Sequence, residues 1–167
     1  MLTNITDMKK LLLCFTLVLT VCNMAMADGQ TATPPSNEIW YTSSDGQPIE
    51  LTDKTVFDST YESSTYNNGK GIITFDNAVT TIGLRAFYSC STLASIRIPE
   101  SVTSIGELAF AGCSSLTSIE IPKSVTSIAR LAFAGCSGLK SIEIPESVET
   151  IDEQAFWYTN LTSVYVA

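Results

Sequence analysis

From residue 78 onward, apolar and polar positions alternate in a pattern that returns every 23 residues. Phe87, Phe110, Phe133 and Phe156 keep this spacing, as do Ile82, Ile105, Ile128 and Ile151. Cys90, Cys113 and Cys136 keep it too, and so do Pro99, Pro122 and Pro145. Self-similarity at such a period is the mark of a solenoid, in which each unit covers the apolar face of the next. Four units follow, 78–100, 101–123, 124–146 and 147–167, the last shortened by one residue because Leu161 falls one place early. Within a unit, Leu116-Thr117-Ser118-Ile119-Glu120-Ile121 ends in an alternation that predicts a half-buried strand. Pro122 stops it, since proline cannot donate to a continuing ladder. Val102 to Ile105 is a second short extended piece, and Glu107 to Gly112 leaves room for a short helical turn carrying Ala109 and Phe110. Strand, bend and turn, repeated, stack into a coil with parallel strands about 4.8 Å apart.

Ahead of the repeats the pattern changes. Glu38 to Ser43 is strand-like, Asp45-Gly46 is a hairpin signal, and Ile49-Glu50-Leu51 can form the returning strand. Asn67-Asn68-Gly69 marks another turn, followed by a strand over Ile72 to Phe75. A solenoid needs a cover on its first coil, and residues 38–77 are read as a small β-rich N-terminal cap. Residues 28–37, with Pro34-Pro35, read as a flexible linker. Lys9-Lys10, the apolar run Leu11 to Val21 and the small-x-small site Ala25-Met26-Ala27 give residues 1–27 the order of a secretory signal peptide. The apolar run is too short to span a bilayer, which takes about 20 residues. A lipid on Cys22 is the rival reading, disfavoured by bulky Val21 immediately before it.

The repeat resembles the BspA-like leucine-rich repeats, whose pattern is Leu-x-x-Ile-x-Ile/Leu-Pro-x-x-Val/Leu-x-x-Ile-Gly-x-x-Ala-Phe-x-x-Cys. The resemblance covers residues 78–167 and is weakest in the fourth unit, where Thr159 stands for Cys and Asp152 for Gly. The stretches 39–46 and 68–76 also resemble the lead-in found before such repeats in Bacteroidetes proteins. The resemblance implies a leucine-rich-repeat solenoid, and a protein that binds host matrix proteins or other cells.

Charge and composition narrow the chemistry. The net charge of −8 argues against nucleic acid, which needs clustered Lys and Arg. The chain has no histidine, which removes the commonest general base, the commonest metal ligand and every Ser-His or Cys-His pair. Loss of residues 1–27 leaves three cysteines, an odd number that cannot all pair internally. Each sits beside a framework Phe, so a ladder of small buried thiols is favoured over a disulfide between neighbours, and either over a metal site, which wants converging pairs. Glu120 and Glu143 recur at one position of successive strands, but an open sheet lacks the cleft that paired catalytic carboxylates occupy. No phosphate loop or nucleophile elbow is present. No enzyme activity and no cofactor are expected.

Function is expected on the exposed strand face. Positions two and four after each framework Leu point away from the core. They give one row of Ser95, Ser118, Ser141 and Ser163, and a more varied row of Arg97, Glu120, Glu143 and Tyr165. Trp157 and Tyr158 are candidate aromatic contacts. Three readings compete: a protein-binding surface or secreted module, a glycan-binding module using Trp40, Tyr41, Trp157 or Tyr158 as stacking platforms, and a self-associating repeat without a ligand. At the C-terminal end the aromatics of the fourth unit are expected to fold over the last coil as a makeshift cap. The alternative is that this edge pairs with a second chain.

Overall fold

The structure, a computed structural model, describes residues 32–51 and 53–166, all but Ala32 belonging to the unit formed by residues 33–167. The signal-peptide reading and Cys22 lie outside the described residues. Among these, eleven strands follow one another: β1 (Glu38–Ser43), β2 (Tyr61–Asn67), β3 (Lys70–Phe75), β4 (Thr81–Ile82), β5 (Leu93–Arg97), β6 (Ser104–Ile105), β7 (Ser118–Glu120), β8 (Ser127–Ile128), β9 (Ser141–Ile144), β10 (Thr150–Ile151) and β11 (Ser163–Val166). From β4 onward they alternate between two parallel stacks, as a 23-residue coil requires. One stack runs β4-β6-β8-β10, with Ile82 beside Ile105, Ile105 beside Ile128 and Ile128 beside Ile151. The other places β5 beside β7 in register and β9 beside β11 in register.

The core is the repeat seen in cross-section. Phe87, Phe110 and Phe133 are fully buried, and with Phe156 they form a stack of nearly parallel rings with centroids 5.2, 5.2 and 5.4 Å apart. Leu93, Leu116 and Leu139 are also fully buried, as are Val102 and Val125. The repeated Phe, Ile, Leu, Val and Cys positions are therefore interior in the inner coils, while Ile119 is only partly buried.

The segments between the stacks are turns, and the short helices expected there do not form. Arg85, Leu108, Leu131 and Gln154 all have φ near +60°, and Ser89, Gly112, Gly135 and Tyr158, four residues further on, are also left-handed. Two left-handed residues per coil break any α-helical run. They also turn alternate amides to one side. The N–H groups of Arg85, Phe87 and Ser89 donate to the carbonyls of Glu107, Ala109 and Ala111 in the next coil, and Leu108, Phe110 and Gly112 repeat this onto Arg130, Ala132 and Ala134. At the flanks of the strands, outside the parallel ladders themselves, amides run the other way: Thr117 donates to Ala94, Thr126 to Thr103 and Thr162 to Lys140, each from a later coil to an earlier one.

The expected hairpin from β1 into Ile49–Leu51 is absent; those residues are not a strand. The edge of β1 is used instead by the first coil, with β1 antiparallel to β3 on one side and to β5 on the other. Asn68 (φ 51°) and Gly69 (φ 81°) make the two-residue turn between β2 and β3, the geometry that the Asn-Gly signal selects. Opposite the turn side of the first coil lies Phe57, in edge contact with Phe87 at 6.0 Å. Asp58 accepts hydrogen bonds from the amides of Thr80 and Thr81 and from the Thr80 hydroxyl. Partial burial opposes ionisation of Asp58, but these hydrogen bonds outweigh it and hold the carboxyl below its ordinary pKa. Residues 34–37, read from sequence as part of the tether, are docked: Pro34 is buried, Ser36 accepts from the Val79 amide, and Asn37 exchanges hydrogen bonds with Phe75.

Candidate functional site: the exposed strand face

Ser95 lies beside Ser118 and Arg97 beside Glu120 across β5–β7, and Ser141 lies beside Ser163 and Glu143 beside Tyr165 across β9–β11, while among the described residues no ladder joins β7 to β9. The parity of each strand sets the direction. In β9, Ile142 and Ile144 are buried while Ser141 and Glu143 are exposed. Arg97 is the least open member of its row, with 14% of its side chain exposed against 69% for Glu120, and the two approach to 3.9 Å. A pair with one partner this exposed contributes little stability. Glu143 has no partner among the described residues.

The face continues past the repeats into the cap, which the sequence did not reveal. β1 extends the sheet beyond β5, setting Trp40 opposite Arg97 and Thr42 opposite Ser95, whose hydroxyls are 2.7 Å apart. Lys70 holds its ammonium 3.5 Å above the Trp40 ring, and the Trp40 indole N–H donates to Glu38 at 2.6 Å. Burial lowers the Lys70 pKa, opposed by the Glu38 charge. The more varied row thus reads Trp40, Arg97, Glu120, Glu143, Tyr165 from cap to last coil. Its cap end was visible in the alternation of Glu38, Trp40 and Thr42 with buried Ile39 and Tyr41. What the sequence could not supply was that this strand joins β5.

The aromatic candidates separate. Tyr41 is fully buried, its hydroxyl accepting from the Ile49 amide and its ring filling the space left by Gly71. It is no stacking platform, and Trp40 already carries Lys70 on its ring. Trp157 and Tyr158 lie in the turn after β10, with centroids 4.4 Å apart and 50% and 72% exposed. They lean on each other rather than over the coil end, so the expected makeshift cap is not formed. Ile151, Val164 and Val166 remain 47%, 56% and 75% exposed.

Two other clusters are structural. The thiols of Cys90, Cys113 and Cys136 are unbridged and buried. Cys113 donates to the Phe87 carbonyl at 3.1 Å and Cys136 to that of Phe110 at 3.2 Å. Burial pushes the Cys90 thiol up to about 11 and that of Cys136 up to about 12, and raises that of Cys113 as well. Unreactive thiols are the result. A depression of about 530 Å³ lined by Lys54, Phe57, Asp58, Ser59, Tyr61 and Asp76 is the other cluster. Its carboxylates are committed: Asp58 to Thr80 and Thr81, Asp76 to Ser59 and Thr60.

A family profile described as BspA type leucine rich repeat region (6 copies) matches residues 58–167. The chain belongs to this family. Among solved structures, it is similar to a leucine-rich repeat protein from Bacteroides capillosus, with 33% identity and a TM-score of 0.52 over 81% of this chain and 97% of that one. It is also similar to a leucine-rich repeat protein from Bacteroides ovatus (33% identity, TM-score 0.49, 63% of this chain and 28% of that one). A third is a leucine rich cell surface protein from Faecalibacterium prausnitzii (36% identity, TM-score 0.46, 55% and 30%). No curated protein matches.

Proposed function

We propose that this BspA-type chain is an exported, non-enzymatic binding module that works at the cell surface and engages a protein partner through its strand face, in an adhesive role such as attachment to host matrix protein. The observation that carries this reading is the exposed sheet itself. Along it one row is nearly uniform in serine, while the neighbouring row changes from strand to strand through Arg97, Glu120, Glu143 and Tyr165. Core packing does not dictate those side chains, so they are where recognition can be written, as on other solenoids. Export is supported by the signal-like order of residues 1–27, and among the described residues no helix is long and apolar enough to cross a membrane. Immobilised protein should capture a partner from matrix or cell extracts, and Glu143→Lys should lose it while Thr126→Lys, in the segment entering the other stack, should not. Equal capture by both variants would remove the strand face from consideration.

A glycan-binding reading is favoured only by the exposed Trp157–Tyr158 pair, since aromatic faces are what sugars stack on. A glycan array probed with the protein and with Trp157→Ala distinguishes it from protein binding.

A further inference from the structure

We propose, resting on the strand face as the binding surface, that this face is built as two plates meeting at a joint between β7 and β9. A basic side chain of the protein partner closes the joint by lying across Glu120 and Glu143. On one side stands the five-stranded sheet β2-β3-β1-β5-β7, on the other the pair β9–β11, and among the described residues no ladder joins β7 to β9. The bonds flanking the strands stop at the same place. The Thr117 amide donates to Ala94 and the Thr162 amide to Lys140, but the Lys140 amide, at the equivalent position, has no backbone acceptor among the described residues. Ile119 is only partly buried, while its counterparts Ile96 and Ile142 in the coils before and after are 1% and 3% exposed.

Elsewhere the same two coils are closed. β6 and β8 pair in register, the Phe110 and Phe133 rings lie 5.2 Å apart, and the amides of Leu108, Phe110 and Gly112 reach the carbonyls of Arg130, Ala132 and Ala134. Opening is thus confined to the strand side, and two residue differences account for it. Thr117 and Thr162 each add a hydroxyl bond to a carbonyl of the preceding coil, whereas Lys140 stands where the middle joint would need that hydroxyl. Charge is the other difference. Across the first joint Arg97 approaches Glu120 at 3.9 Å, and on the turn side of the middle joint Arg130 holds Glu107 at 3.1 Å. On the strand side of the middle joint the equivalent residues are Glu120 and Glu143, both exposed, and like charges on neighbouring strands oppose pairing. A lysine or arginine presented by a partner supplies the opposite charge that this joint lacks.

Amide exchange followed by NMR reads the joint directly. In the free protein the Lys140 amide, corrected for its intrinsic rate, should exchange about tenfold or more faster than that of Thr117, because local opening sets the rate. Glu143→Gln should slow Lys140 by a factor of about two to five, the size of effect a like-charge cross-strand pair carries. Glu107→Gln, the same charge change on the turn side, should not slow it. The peptide acetyl-Ser-Arg-Ser-Arg-Ser-amide at millimolar concentration should slow Lys140 in the wild type, and its citrulline analogue should not. Exchange at Lys140 as slow as at Thr117, indifference to Glu143→Gln, or equal slowing by the two peptides would each overturn the proposal. Any of these beside partner capture that Glu143→Lys abolishes would reject the joint and keep the strand face. A joint responding as stated beside capture indifferent to Glu143→Lys would reject the strand face and, with it, the partner's part in closing the joint.

Discussion

Truncating one ring of the phenylalanine stack tests the core at its most regular point. Phe110 is fully buried between Phe87 and Phe133, each 5.2 Å away and nearly parallel. Phe110→Ala removes the buried ring and leaves a cavity walled by two neighbours that the backbone ladder on both sides keeps from closing. Deleting a buried phenylalanine costs about 3–5 kcal/mol, and the loss of two aromatic contacts places this one toward the upper end. Phe156, by contrast, is only half-buried and touches one ring, Phe133, at 5.4 Å. With roughly half the area and one neighbour, Phe156→Ala should cost about 1–2 kcal/mol. Urea unfolding followed by circular dichroism reads both, provided the two variants share the wild-type m-value. Ser118→Ala, on the exposed face, sets the baseline at well under about 1 kcal/mol. Equal losses at Phe110 and Phe156 would refute the reasoning, for then burial and ring contacts would not set the cost.

The native thiols should resist alkylation at neutral pH and react only after denaturation, and reductant should leave the melting temperature unchanged. Because Cys90 and Cys136 titrate higher folded than unfolded, their contribution is complete below the unfolded thiol pKa and is lost as pH rises from about 9 through 11 to 12; a pH series of unfolding midpoints flat across that window would contradict the burial. Gly135→Ala should cost about 1 kcal/mol from the left-handed backbone alone, since φ is +72° and an added Cβ would meet only ordinary contacts, whereas Ser89→Gly at the equivalent left-handed position should be neutral or stabilising by melting temperature. Mass spectrometry of exported protein should find Asp28 as the first residue; an acylated Cys22 in its place would make the protein lipid-anchored.

Side-chain periodicity carried most of the fold. A position that must be apolar in every coil repeats visibly, so Phe110, Ile105, Leu116 and Val102 could be placed in the core and Ser118 and Glu120 outside it before any coordinates. What periodicity does not encode is backbone hand. Leu108 and Leu131 gave no sign that they adopt left-handed φ, because leucine normally avoids it; the coil-to-coil hydrogen bonds impose it, and the expected helical turn vanished with it. The candidate site was half legible for the same reason. Strand parity fixed the direction of Arg97 and Glu143, but the partner of β1 is a long-range choice, and only the structure shows Trp40 and Thr42 beside Arg97 and Ser95. Trp157 and Tyr158 invited a capping role by being large and late in the chain, and the turn geometry aims them elsewhere.

The opposed polarity of the two ladders has a mechanical consequence. At the flanks of the strands amides donate toward the cap, and on the turn side they donate toward the later coil, so neighbouring coils are clasped by bonds that originate from both members. Pulling the last coil away along the stack loads both clasps together, and neither can slip by a residue without dragging the other out of register. At the cap the same load meets antiparallel β1 lying lengthwise against β5, which must shear rather than peel.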